Sequence, residues 1–151
     1  MNDRPILICY DGSDNARRGI DVAADLLGPR RAIVLDIAPY LTGVETYAVM
    51  GSPLGAAEVE KMNAADAMER AKEGAELARA AGFTAEPRSE LDEPTWEGIL
   101  DVADDVDAAV IVFGSRGLTG VRERFQGSLS HEVAEHSGRP VLIAPPPGDR
   151  R

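Results

Sequence analysis

The chain is poor in cysteine, lysine and histidine, and each shortage narrows the possible functions. A single cysteine, Cys9, excludes an internal disulfide framework, and its apolar neighbours predict a buried core thiol. The only lysines are Lys61 and Lys72, so the chain has neither the GxxxxGK[ST] pattern of a P-loop nor the late lysine of a phospho-receiver domain. The cysteine and the two histidines form no cluster with metal-ligand spacing, so we expect no metal held by side chains.

Positive charge and long hydrophobic runs are also scarce. Sixteen Lys and Arg residues against 26 Asp and Glu residues give a net charge of −10. Such a charge argues against general binding of nucleic acid or of anionic membranes. No apolar run approaches the roughly 20 residues of a membrane-spanning helix, and the first residues lack the pattern of a signal peptide. We therefore expect a cytoplasmic protein that binds neither nucleic acid nor membrane.

Short apolar runs alternate with helical patterns along the chain. Runs that are apolar on both faces indicate strands of a covered sheet, and their alternation with helices predicts an α/β fold with a parallel sheet and helices on both faces. The length suits one domain, 1–147, followed by a disordered tail, 148–151. The predicted strands are 5–10, 32–37, 83–91, 108–113 and 140–144, and the predicted helices are 14–27, 56–81, 128–137 and one that opens at 94–95.

The segment 39–55 shows no periodic pattern. It contains three glycines and two prolines, and its apolar residues have no helical or strand spacing. We expect a loop that leaves the second strand at the carboxyl edge of the sheet and acts as a mobile lid over a ligand, or packs on a dimer partner. The alternative is a disordered insertion that is indifferent to ligand.

The stretch after the fourth strand is rich in glycine. Gly114 ends that strand, Gly117 follows, and Gly127-Ser128 begins the next helix. Free backbone N–H groups at a helix start favour an anion, and three arginines make this stretch basic within an acidic chain. A phosphate site is one interpretation, and a plain turn with a helix cap is the other. The arginines are Arg116, Arg122 and Arg124.

The spacing G-x2-G-x9-G-[S/T], met by Gly114, Gly117 and Gly127-Ser128, resembles the ATP-binding motif of the universal stress protein family. The resemblance extends from Ile6 to Ile143 and includes the sequence YDGS after the first strand and RPVLI in the last. It implies a five-stranded parallel sheet of order 3-2-1-4-5, of the adenine nucleotide alpha hydrolase-like type. It also implies a homodimer that forms through the C-terminal strand.

The resemblance further implies a nucleotide site in three parts. Asp11 contacts the ribose or base, although the residues alone also allow a turn-forming or helix-capping aspartate. Ile37 offers backbone groups to adenine. The nucleoside is lined by Phe113 and Gly114. The phosphate loop starts with Ser115, Arg116 and Gly117, and the phosphates are held by Gly127, Ser128 and Leu129. The implied ligand is ATP, or ADP or AMP, accompanied by Mg²⁺.

Three functions compete. The first is a stress-response or regulatory protein that binds adenine nucleotide with little or no catalysis. The second is a slow ATPase or nucleotidyl-transfer enzyme, although the sequence DGSDN lacks the SGGxDS loop of the ATP pyrophosphatase relatives. The third is a dimeric interaction module without ligand, against which the intact glycine motif counts. We assign no catalytic residue, since a Ser128–His131 pair has no third group to orient it.

The two histidines, the tryptophan and one acid-rich helix are interpreted as structural features and not as parts of a site. Both histidines, His131 and His136, are expected to be solvated, and Trp96 is expected to anchor its helix in the core. The acid-rich helix 58–76 predicts a solvated face on which Glu69 and Glu73 flank Lys72.

Overall fold

The computed structural model describes residues 3–38, 43–51, 53–91, 95–115, 127–146 and 148. Within these ranges parallel strands alternate with helices. The expected boundary at residue 147 and the expected tail lie outside the described residues, apart from Gly148, and stay predictions. The elements are β1 Ile6–Cys9, α1 Asp14–Leu27, β2 Arg31–Ala38, α2 Gly43–Met50, α3 Ala56–Ala80, β3 Thr84–Leu91, α4 Thr95–Asp105, β4 Val110–Phe113, α5 Gly127–His136 and β5 Val141–Ile143.

The sheet has five parallel strands in the order β3-β2-β1-β4-β5, which confirms the expected order. The central strand is β1, in which Ile8 lies beside Val34 of β2 and Val112 of β4. The chain extends the sheet in one direction from β1 through β3 and then returns to the other side with β4. The strand order therefore reverses between β1 and β4.

Helices cover both faces of the sheet, as predicted. Ile6, Ile8 and Tyr10 face one core cluster, which holds buried residues of α1 and α3. Leu7 and Cys9, on the alternate face, join a second cluster with buried residues of α4 and α5. Because β1 is buried on both faces, its sequence is a continuous apolar run, and Cys9 is the buried core thiol that this run predicts.

Helix α3 packs on the sheet through small residues. Its buried residues are Ala67, Ala71, Gly74, Ala75 and Ala78. A Cβ at Gly74 would lie 2.7 Å from Cδ1 of Tyr10 and 2.8 Å from Cγ1 of Val34, well inside van der Waals contact. The absence of a side chain at Gly74 therefore makes room for the Tyr10 ring.

Replacing Gly74 with alanine is expected to lower the free energy of unfolding by about 1–3 kcal/mol, the usual cost of overpacking a well-packed core. The higher helix propensity of alanine offsets only about 1 kcal/mol of that cost. Urea denaturation followed by circular dichroism measures the change. Gly43→Ala is the matched control, because a Cβ at that helical glycine has no neighbour within 4 Å. Equal stabilities of the two variants would contradict the packing role of Gly74.

The prediction of an irregular loop over 39–55 is wrong in its middle, where α2 spans Gly43–Met50. This helix has no buried residue, and Val44, Tyr47 and Met50 are 80%, 79% and 74% exposed. A helix that buries no face against a core needs no apolar residues at helical spacing. The sequence of α2 therefore lacks the periodic pattern from which a helix is predicted. Residues 39–42 and 52 lie outside the described part of the chain, and the ligand-dependent lid stays a prediction.

Candidate functional site

A tight turn joins β1 to α1 at the carboxyl edge of the sheet. Asp11 is 6% exposed, and its Oδ1 accepts a hydrogen bond from the Ser13 backbone N–H at 2.9 Å. Gly12 has a φ of +83°, a conformation that disfavours side chains. The Ser13 hydroxyl accepts from the Ala16 N–H at 3.1 Å and caps α1. Asp11 is thus a turn-forming aspartate in this structure, and the turn places it at the end of the central strand.

The end of β4 is held directly against the first turn of α1. A Cβ built on Gly114 would overlap the backbone carbonyl of Asn15 and lie 2.7 Å from the Ala16 nitrogen. One turn further along α1, a Cβ at Gly19 would lie 3.1 Å from the Gly114 nitrogen. The missing side chain of Gly114 therefore lets a strand end meet a helix. Its expected place beside the nucleoside stays a prediction.

A side-chain hydrogen bond ties the beginning of the glycine loop to the same helix. The Ser115 hydroxyl donates to Oδ1 of Asn15 at 3.2 Å, and Asn15 is 5% exposed. Residues 116–126, which include the predicted Arg116 and Gly117, lie outside the described residues. The loop therefore starts from a fixed position beside the turn that carries Asp11.

A small cleft, open to solvent, lies where the β1 and β4 ends meet. Four predicted site residues, Asp11, Phe113, Gly114 and Ser115, line it. Two others, Ile37 and Leu129, have buried side chains in the core cluster that also contains Phe113. The last two, Gly127 and Ser128, form the first turn of α5. The full lining comprises Cys9, Asp11, Ser13, Ala16, Phe113, Gly114 and Ser115.

The thiol in this cleft is unreactive. Burial raises the pKa of Cys9 above its usual range, and the negative charges of Asp36 and Asp11 raise it further. A thiol with a raised pKa stays protonated at neutral pH, and only the thiolate is a good nucleophile or metal ligand. Cys9 therefore belongs to the walls of the cleft and supplies no chemistry.

A polar cluster lies on the α1 and α3 side of the β1 end, and sequence reasoning missed it. The Tyr10 hydroxyl donates to Oε1 of Glu73 at 2.6 Å, and Arg17 donates to the same oxygen at 2.7 Å. A second pair, Arg70 with Asp36, joins α3 to β2. Glu73 thus does not flank Lys72 as expected, and Lys72 pairs with Glu69 at 2.8 Å. Asp36, an acid inside a buried strand, was the available signal, because a buried charge requires a partner.

The cluster controls the protonation of its members. Burial raises the pKa of Tyr10 to about 12, and its hydrogen bond to Glu73 contributes. The same hydrogen bond lowers the pKa of Glu73, with a smaller contribution from Arg17. At neutral pH the phenol is therefore neutral and donates, while the carboxylate is ionised and accepts.

The expectations for Trp96 and His136 are both confirmed. Trp96 packs partly buried against the core cluster of α4 and α5. His136 is exposed, and its ring also stacks on Trp96 with centroids 4.9 Å apart, while its Nδ1 lies 2.9 Å from the Glu132 carbonyl oxygen. The atoms of Glu132, Glu135 and His136 that could bind a metal ion lie within 4.8 Å of one another. Exposed groups of this kind are common without an ion.

Comparison with known sequences identifies one family. The model of the universal stress protein family matches residues 3–145. The universal stress protein YxiE of Bacillus subtilis is 32% identical over 149 residues, which cover 91% of this chain and 96% of that protein. A universal stress protein of Thermus aquaticus is 34% identical over 148 residues, with coverages of 93% and 97%.

Comparison with solved structures gives the same fold. The hypothetical protein MJ0577 superposes with a TM-score of 0.73 at 21% identity, covering 99% of this chain and 100% of that one. The universal stress protein of Archaeoglobus fulgidus in complex with dAMP has a TM-score of 0.60 at 24% identity, with coverages of 95% and 98%. A universal stress protein in complex with cAMP has a TM-score of 0.59 at 26% identity, with coverages of 93% and 95%. Across the described part of this chain, no helix is long and apolar enough to span a membrane.

Proposed function

The chain belongs to the universal stress protein family, and from this premise we propose that it binds an adenine nucleotide, ATP or else ADP or AMP, in the cleft between β1 and β4. The observation that carries the proposal is the position of Asp11 beside Gly114 and Ser115, at the carboxyl edge where the strand order reverses. Open α/β sheets bind their ligands at such reversal points.

Two structural neighbours support the choice of ligand class. One is complexed with dAMP and the other with cAMP. Both ligands contain adenine and a phosphate, while their sugars and phosphate linkages differ. The features that they share are the ones that we propose this chain recognises.

The proposed arrangement assigns a task to each part of the site. Asp11 contacts the ribose or base, the backbone of Ile37 contacts adenine, and Phe113 with Gly114 lines the nucleoside. Helix α5 begins at Gly127, so its free N–H groups and helix dipole favour an anion at that end. The phosphates are held by Ser115, Arg116, Gly117, Gly127, Ser128 and Leu129.

Mg²⁺ is proposed as an ion that accompanies the nucleotide. Proteins usually hold it through one or two carboxylates together with substrate phosphates. Among the described residues that line the cleft, Asp11 is the one carboxylate, and it accepts the Ser13 N–H. We assign Mg²⁺ to the phosphates and propose no metal site made of side chains alone.

The proposed role is regulatory, with little or no catalysis. The lining residues that the structure describes include two titratable groups, the Asp11 carboxyl and the protonated Cys9 thiol. The Asp11 carboxylate accepts the Ser13 N–H within the β1–α1 turn, and the protonated thiol cannot act as a general base. We therefore propose a cytoplasmic stress-response protein that senses or buffers adenine nucleotide.

Native mass spectrometry tests this function. Protein purified without added nucleotide is measured directly and again after addition of ATP or GTP at equal concentration. We expect an adenine nucleotide adduct of one ligand per chain, either carried through purification or formed on addition of ATP, and no comparable GTP adduct. Absence of any adduct at saturating ATP, or equal binding of GTP, would overturn the proposal.

We further propose that the chain forms a homodimer through β5. This strand lies at one edge of the sheet, and its Ile143 is 48% exposed. An uncovered apolar edge invites pairing, and two such edges related by a two-fold axis can pair antiparallel. Sedimentation velocity at micromolar concentration should show a dimer for the wild type and a monomer for Ile143→Lys, in which charge blocks the edge. A monomeric wild type would contradict the proposal.

A further inference from the structure

A buried ion pair lies next to the turn that carries Asp11. Asp36, near the end of β2, has a side chain that is 3% exposed, and Arg70 of α3 pairs with it through Nε. The Arg70 side chain is itself only 19% exposed. Burying two charges costs several kcal/mol per ion before their attraction offsets it, so such a pair is weak evidence of a stabilising role alone. Its position indicates another role.

The stem of Arg70 lies beside the β1–α1 turn, on the side of Gly12 to which a side chain would point. A Cβ built on Gly12 would lie 3.5 Å from Cδ and 3.9 Å from Cγ of Arg70. Gly12 is the left-handed residue of the turn, with a φ of +83°. Since Asp36 fixes the guanidinium, it also fixes the stem that lies beside Gly12. The ion pair therefore connects β2 and α3 to the residue after Asp11.

The residue before Asp11 is held by the same helix. The Tyr10 hydroxyl donates to Glu73, one turn along α3 from Arg70. Helix α3 thus binds Tyr10, the residue before Asp11, through a hydrogen bond and places Arg70 beside Gly12, the residue after it. Asp11 itself lines the cleft.

We propose that Arg70, oriented by Asp36, is a positioning residue for the nucleotide site. It holds the turn at Gly12 so that the Asp11 carboxylate keeps its place in the cleft. The inference rests on the proposed function, because it assigns Arg70 an effect on nucleotide binding that it exerts through Asp11. Arg70 itself touches no ligand in this account.

The first test compares Arg70→Ala with Arg79→Ala. Arg79 also lies on α3, pairs with Glu76 and donates from Nε to the Ala85 carbonyl oxygen at 3.0 Å, but makes no contact with Gly12. Both variants are expected to lose stability in urea. At temperatures well below unfolding, Arg70→Ala should bind ATP about tenfold more weakly by calorimetry, the loss expected when a charge-assisted hydrogen bond is misaligned. Arg79→Ala should bind as the wild type does.

A double-mutant cycle with Asp11→Ala separates positioning from a general structural effect. If Arg70 acts through Asp11, adding Arg70→Ala to Asp11→Ala causes no further loss of ATP affinity. Additive losses, or unchanged affinity in Arg70→Ala, would overturn the positioning role while leaving the nucleotide site intact. A wild type that binds no ATP overturns both.

A milder variant keeps the test decisive if Arg70→Ala does not fold. Asp36→Asn retains the size of the side chain, removes its charge and frees Arg70 to adopt other rotamers. It should weaken ATP binding in the same direction by about threefold to tenfold, as expected when a hydrogen bond loses its charge. That loss should also vanish in the Asp11→Ala background. Wild-type affinity in folded Asp36→Asn would contradict the proposal.

Discussion

Replacing Gly114 with alanine is expected to lower the free energy of unfolding by at least about 3 kcal/mol, or to prevent folding altogether. The added methyl group would overlap the Asn15 carbonyl and lie 2.7 Å from the Ala16 nitrogen, both of which are backbone atoms inside the first turn of α1. No rotamer change can relieve that overlap. Withdrawal of the strand end would break the 2.9 Å hydrogen bond that the Ala144 N–H donates to the Phe113 carbonyl oxygen.

Urea denaturation followed by circular dichroism measures this effect. Gly43→Ala is again the control with open space. Gly19→Ala should lie between the two, because its Cβ would lie 3.1 Å from the Gly114 nitrogen, a tight contact that a shift of a few tenths of an ångström relieves. The expected order of stability is Gly43→Ala, then Gly19→Ala, then Gly114→Ala. Equal stability of the first and last variants would show that β4 and α1 are not packed as described.

Replacing Gly127 with valine is expected to abolish nucleotide binding, with a loss of affinity of roughly a hundredfold or more, while the fold persists. Helix α5 begins at Gly127, where backbone N–H groups have no partner within the helix. A branched side chain there would occupy the space in which a phosphate approaches those groups. A hundredfold loss corresponds to about 2.7 kcal/mol, in the range of charge-assisted hydrogen bonds to an anion.

Calorimetric titration with ATP compares this variant with Ala80→Val. Ala80 is an exposed residue in the last turn of α3, just before the start of β3 and therefore at the edge of the sheet opposite the proposed site. It is a valine substitution outside the proposed site, and it should bind ATP as the wild type does. Circular dichroism establishes that both variants are folded. Unchanged affinity in Gly127→Val would mean that the phosphates bind elsewhere.

The sequence predicted most of the elements because their signals are local. Strand β1 is apolar on both faces because it is covered on both faces, and α1 has the bounds that its helical pattern predicts. The order of the strands in the sheet is not predicted by any local pattern. It followed from the resemblance carried by the glycine motif, and the sheet confirms it.

The features that the sequence did not predict depend on partners distant in the chain. Position 114 requires glycine because a side chain there would overlap the carbonyl of Asn15. Position 74 requires glycine because a side chain there would collide with the Tyr10 ring. Likewise the pairing of Arg70 with Asp36 follows from the packing of α3 on β2, which no local spacing encodes. Local patterns thus identify elements, while contacts between elements decide which residues support the site.

The most direct test of the proposed site is an NMR titration of the uniformly ¹⁵N-labelled wild type with ATP. We expect saturable shifts of backbone amides at Asp11–Ser13, Gly114–Ser115 and Gly127–Leu129, with one ligand per chain. Amides at the opposite edge of the sheet, such as Thr84 and Ala109, which donate to the backbone at the strand starts, should stay unchanged. Shifts confined to that opposite edge, or no shifts at millimolar ATP, would contradict a nucleotide site between β1 and β4.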